Sequence, residues 1–101
     1  MNVRVLEIAR RELDEAISHY NEQAAGLGDA FLLEAVAAIE RVRQFPEGWH
    51  PLGKDIRRCR LRRFPYGLIY HADENEVIIV AVAHSHRRPD YWRDRLKSGT
   101  P

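Results

Sequence analysis

The stretch Val77-Ile78-Ile79-Val80-Ala81-Val82-Ala83 decides the fold. A half-exposed strand alternates apolar and polar residues, but this run has no wet side. It therefore reads as a central strand covered on both faces. A central strand needs a neighbour on each edge. Before it, Asp73-Glu74-Asn75-Glu76 is a polar hairpin turn leading back to a strand over 68–72. Phe64-Pro65-Tyr66-Gly67 is a second turn, with proline and glycine suitably placed. It leads back to residues 56–63, where Arg58, Arg60 and Arg62 alternate with Cys59 and Leu61, giving one wet and one buried face. The other edge falls to residues 3–8, Val-Arg-Val-Leu-Glu-Ile. The pattern leaves the direction of that strand open.

Between the first strand and the meander lie two helical patterns. Ala9, Leu13, Ala16, Ile17, Tyr20 and Ala24 recur in steps that define one stripe of a helix over 9–25. Arg10, Arg11, Glu12, Asp14 and Glu15 are assigned to its wet face. Gly26 and Gly28 supply a stop and a tight turn. A second helix is expected over 29–45, with Asp29 as its N-cap and Pro46 as its terminator. Its broad apolar face includes Phe31, Leu32, Ala35, Val36, Ala38, Ile39, Val42 and Phe45. Residues 46–55, with two prolines and two glycines, read as loop. A short helix is expected over 90–96 and a tail over 97–101. The fold class is thus α+β: an N-terminal strand, an antiparallel two-helix hairpin on a mainly antiparallel four-stranded sheet, and a short C-terminal helix.

The 101 residues suit a single domain spanning 1–101, with its core over about 3–96. At 45% hydrophobic and 31% charged, the chain is neither disordered nor membranous. No secretory signal pattern is read at the N-terminus. Cys59 is the one cysteine, so an internal disulfide is impossible, and a reducing cytoplasm fits. The net charge of +1 hides an asymmetry. Residues 1–53 hold five Lys/Arg against nine Asp/Glu, and residues 54–101 hold eleven against six. The basic second half suits a polyanion or an acidic protein partner. Weak mutual attraction between two solvated faces is the bland alternative.

Three stretches resemble one known family. They are Ala9-Arg10-Arg11-Glu12-Leu13-Asp14-Glu15-Ala16 leading to Tyr20; Arg62-Arg63-Phe64-Pro65-Tyr66-Gly67-Leu68-Ile69-Tyr70; and Val82-Ala83-His84-Ser85-His86-Arg87-Arg88-Pro89-Asp90-Tyr91-Trp92. The third is the most specific. Together with the order of elements they resemble the RelE/ParE toxin superfamily, in its plasmid-stabilisation branch, over residues 3–96. The resemblance implies the toxin of a type II toxin–antitoxin pair, which inhibits growth when free of its antitoxin.

Ribonuclease members of that superfamily cut mRNA on the ribosome by way of the RNA's own 2′-hydroxyl. Such chemistry needs a base, an acid and cations around the phosphate, and no metal. The resemblance places His84 and His86 as acid–base candidates. Arg63 and Arg87 become forked phosphate donors, and Tyr91 a stacking or proton-donating group. Lys54, Arg58, Arg60, Arg62 and Arg88 are candidate phosphate-binding residues. Gly67 departs from the pattern, since ribonuclease members often carry a basic residue there. ParE members lack the catalytic set and poison DNA gyrase, so a gyrase-directed toxin is the first alternative. A non-toxic protein-binding module is the second. His84 and His86 share a face if the strand continues, but only Asp90 offers a third ligand, so neither metal nor other cofactor is expected. The expected partners are a cognate antitoxin, in a toxin–antitoxin hetero-oligomer, and ribosome with mRNA or gyrase. No membrane is involved.

Overall fold

The computed structural model describes residues 1–98. The chain runs β1 (Asn2–Val5), α1 (Glu7–Gln23), α2 (Leu27–Gln44), β2 (His50–Gly53), β3 (Ile56–Arg60), β4 (Tyr66–Ala72), β5 (Glu76–His84) and α3 (Asp94–Ser98). The sheet order is β1-β5-β4-β3-β2, so the all-apolar strand is flanked on both sides. β1 lies parallel to β5, with Val3 opposite Val77 and Val5 opposite Ile79. The remaining pairings are antiparallel. Asp73 shapes the β4–β5 hairpin, its Oδ1 accepting from the amides of Asn75 (2.8 Å) and Glu76 (3.0 Å).

The sheet has five strands where the sequence reading expects four. The additional strand, β2, lies in the expected loop and pairs His50 with Arg58 and Pro51 with Arg57. Proline is tolerated because β2 is an edge strand, with no second ladder to interrupt. β1 is also shorter than the expected 3–8. Leu6 is the hand-over: its amide donates to Ile79 O (3.1 Å), while its carbonyl already accepts from Arg10 N (3.0 Å).

The helix hairpin covers one face of the sheet. Ala9 and Ala16 of α1, and Phe31, Ala38 and Val42 of α2, pack with Cys59, Leu68, Tyr70, Val77 and Ile79. Asp29 is not the N-cap of α2 but lies in its first turn; the cap is Gly26, at φ +86°. The first turn is instead satisfied across the hairpin, where Asn21 Oδ1 accepts from Gly28 N at 2.7 Å. Gly28 has a separate role from Gly26. A Cβ there would lie 2.1 Å from Ile17 O, so only glycine lets the helices approach so closely.

One irregularity decides which way the last side chains of β5 point. Ile69 pairs with Ala81 but Tyr70 pairs with Ile79, leaving Val80 as the extra residue of a β-bulge. Beyond a bulge the alternation of side chains changes phase. Val77, Ile79 and Val82 therefore join the helix-side core. Ile78, Val80 and Ala81 join the opposite one, under Trp92 and Leu96. The expected helix over 90–96 begins only at Asp94. The turns before it include Asp90 at φ +68°, outside helical space. Of the expected tail, residues 99–101 lie outside the described residues.

Candidate interaction site at the end of the central strand

β1 stops before β5 does, so the edge of β5 beyond Ile79 needs other hydrogen-bond partners. Two side chains supply them. Glu12 Oε1 accepts from Val82 N (3.0 Å), and Arg95 Nη1 donates to Val80 O (3.1 Å). The two also meet in a forked pair: Arg95 Nη1 to Glu12 Oε1 at 2.7 Å and Nη2 to Oε2 at 2.9 Å. Tyr91 completes the group by donating its hydroxyl to Glu12 Oε2 at 2.7 Å. Burial, then the adjacent Glu12 carboxylate, pushes the Tyr91 hydroxyl well above the ordinary phenol range. Guanidiniums of Arg87 and Arg95 lie 4.0 and 4.8 Å from the Tyr91 ring centroid.

Glu12 has no functional place in the sequence reading, and neither it nor Arg95 is on a wet face. Their side chains are only 13% and 12% exposed. The signal was present: Glu12 lies three residues after Ala9 and four before Ala16, both buried, on one helical stripe.

The residues singled out from sequence are divided among several surfaces. His84 ends β5 beyond the bulge and packs edge-on against Tyr66 with centroids 5.0 Å apart. Tyr66 in turn meets Phe31 of α2 at 5.0 Å, so His84 belongs with the helix side. It lines a hollow there with Glu15 and His19 of α1, Arg87 and Tyr91. His86 lies past the strand end, in a turn closed by Arg87 N to His84 O at 3.0 Å. Its amide donates to His84 Nδ1 at 3.0 Å, and the two rings lie 5.2 Å apart. Among the described residues, no group of three His, Cys, Asp or Glu is placed to hold a metal ion.

Arg58 and Arg60 stand opposite Ile69 and Gly67, on the face away from the helices. They line a cleft of about 260 Å³ over Ile69 and Ala83, which His84, Arg87, Arg88 and Tyr91 border on its other side. Gly67 makes room for it: a Cβ there would come 3.1 Å from Arg58 Cγ. Arg58 Nε is buried with no hydrogen-bond partner. Burial, then the neighbouring Arg60, lowers the pKa of the Arg58 guanidinium.

Arg63 stands apart from both surfaces, held against α2. Glu34 accepts from the Arg62 amide, from the Arg63 amide (3.2 Å) and from Arg63 Nε (3.4 Å). Burial pulls the Glu34 carboxyl upward, but these donors outweigh it and hold the carboxyl below the ordinary range. The Arg62 side chain is exposed, and Lys54 is exposed in the β2–β3 turn.

A helix hairpin on one face of a short sheet, with a cationic cleft on the other, defines a small α+β protein with two distinct surfaces. The chain belongs to the ParE toxin family of type II toxin–antitoxin systems, whose family model, described as the ParE toxin of the parDE system, matches residues 3–89. It is 32% identical over 89 residues to Toxin ParE2 of Mycobacterium tuberculosis, found in two strains, covering 87% of this chain and 85% of the relative. A solved structure, the chromosomal ParDE toxin–antitoxin system from P. aeruginosa, has the same fold. It superposes with a TM-score of 0.61 at 21% identity, covering 83% of this chain and 95% of the other. No helix among the described residues is long and apolar enough to cross a membrane.

Proposed function

We propose that this ParE-family toxin arrests growth by binding its target, DNA gyrase, and not by cutting mRNA. The observation carrying this reading is that two of the groups RNA cleavage would need, Arg63 and the Tyr91 hydroxyl, are engaged within the protein. Arg63 is engaged by Glu34. The Tyr91 hydroxyl is committed to Glu12. The Arg58 and Arg60 side chains leave the sheet on the face opposite the His84 ring, and His84 meets their cleft only at the end of β5. Cleavage through a 2′-hydroxyl needs its base, acid and cations within one substrate's reach. The family match and the M. tuberculosis ParE2 relatives support the same direction.

The test uses purified gyrase, supercoiled plasmid and the full chain. We expect cleavage complexes that yield linear DNA on denaturation, with messages intact by primer extension after induction in cells. Absence of linear product together with cut messages would reverse the assignment. The ribonuclease reading keeps one specific support, the His84–His86 ring pair beside Arg87.

As a family toxin the chain is expected to be held inactive in a hetero-oligomer with its antitoxin. The outer side of α2 suits part of that contact, since Leu33 and Val36 are 72% and 54% exposed. An amphipathic helix of the antitoxin would cover them.

A further inference from the structure

We infer that the turn after β5 is a pH-responsive latch, held closed by the neutral imidazole of His84 and released when that ring takes up a proton. The inference does not depend on which target the toxin binds.

Three backbone amides make the latch. Ser85 N donates to Pro65 O at 2.7 Å, and Arg87 N donates to His84 O at 3.0 Å. Between them, His86 N donates to a side chain, His84 Nδ1, at 3.0 Å. A ring nitrogen accepts only while it carries no proton, so this contact selects the neutral tautomer with its hydrogen on Nε2. The protonated ring carries hydrogen on both nitrogens, and two donors would then face each other. Imidazole is the side chain that makes this change between about pH 5 and 8.

The surroundings decide where the protonated ring goes. On the turn side it meets Arg87, with the His86 ring 5.2 Å away. Across the cleft β3 presents Arg58 and Arg60, and the chain beyond the turn adds Arg88, Asp90 and Tyr91. β4 contributes the ring of Tyr66, at 5.0 Å. On the helix side, α1 contributes Glu12, Glu15 and His19. Of the three acids, Glu12 is taken by Arg95 and Asp90 by Arg93. Glu15 is in no ion pair among the described residues. An imidazolium at His84 is therefore repelled by the arginines of the turn and cleft and drawn toward Glu15. Both forces pull it off the His86 amide.

Release matters because of what the turn carries. The Arg87 guanidinium rests 4.0 Å from the Tyr91 ring centroid, and exposed Arg88 follows it. Neutral His84 holds both cations in a fixed arrangement, and acid frees them.

The test is nitrogen-15 NMR of the full chain from about pH 8 to pH 5, repeated with His86→Gln so that the neighbouring ring does not contribute. In the neutral His84 ring the proton is expected on Nε2. As pH falls, the amide of residue 86 should lose about fivefold of its protection against hydrogen exchange, with the midpoint of the His84 ring. His84→Asn offers an oxygen acceptor in place of Nδ1 and cannot titrate, so protection should persist at every pH. His84→Phe offers no acceptor, so protection should be low throughout. Glu15→Gln should move the transition to lower pH. A neutral ring protonated on Nδ1, an amide unchanged through the His84 titration, a wild-type pH response in folded His84→Asn, or an unmoved midpoint in Glu15→Gln would each overturn the inference. The ring-nitrogen measurement needs no substitution at His84 and decides the matter if those variants fail to fold.

Discussion

Glu12 accepts four hydrogen bonds, from Val82 N, Tyr91 Oη and both terminal nitrogens of Arg95. Glu12→Gln keeps the shape but leaves Arg95 a largely buried cation without a counter-charge. A loss of about 3 kcal/mol is expected, read as a lower urea midpoint with unchanged slope. Adding Arg95→Met should recover part of that loss, because the stranded charge is then gone; no recovery would refute the account. Tyr70 makes a separate prediction. Its side chain is fully buried, its hydroxyl donates to Pro46 O at 2.5 Å, and burial pushes its pKa up to about 12. The unfolded phenol ionises near 10, so above that pH the unfolded state gives up a proton that the folded state keeps. Stability should be fully present below pH 10 and fall as pH rises toward 12, and Tyr70→Phe should flatten that part of the curve. Denaturation midpoints between pH 9 and 12 provide the check.

The helix hairpin contains one very close approach. Gly28 sits where a Cβ would press on the Ile17 carbonyl and the Asn21 side chain. Gly28→Ala should cost about 1–3 kcal/mol by forcing the helices apart, a melting-point drop on the order of 10 °C. Gly26→Asn, at φ +86° and in open space, should be far milder. Equal effects would mean that helix approach does not limit stability. The helices themselves were legible because their apolar residues recur at helical spacing, as Ala9, Ala16 and Tyr20 do. β2 was not, because Pro51 and Gly53 carry turn chemistry and an edge strand needs only one ladder. The start of α1 at Glu7 was hidden by the continuing apolar residues Leu6 and Ile8.

The molecule depends on its C-terminal segment to close the second face of the sheet. Trp92 and Leu96 cover Ile69, Ile78 and Val80, and Arg95 ties the segment to α1. Ending the chain after Pro89 should expose that apolar face, increase binding of a hydrophobic dye and broaden the thermal transition. A truncated chain that still melts sharply at the same temperature would contradict this closure.

Sequence alone determined the class of fold, the central strand, the helix pair and the family, because each is written in local periodicity or in contiguous motifs. It also supplied the arginines and histidines from which any candidate site is drawn. Tertiary structure decided which of them meet. The bulge at Val80 reverses side-chain phase before His84, placing that imidazole toward the helices while Arg58 and Arg60 face the other way. A one-residue slip between paired strands depends on how β4 and β5 fit together, and nothing in the uninterrupted apolar run at 77–83 marks where it falls.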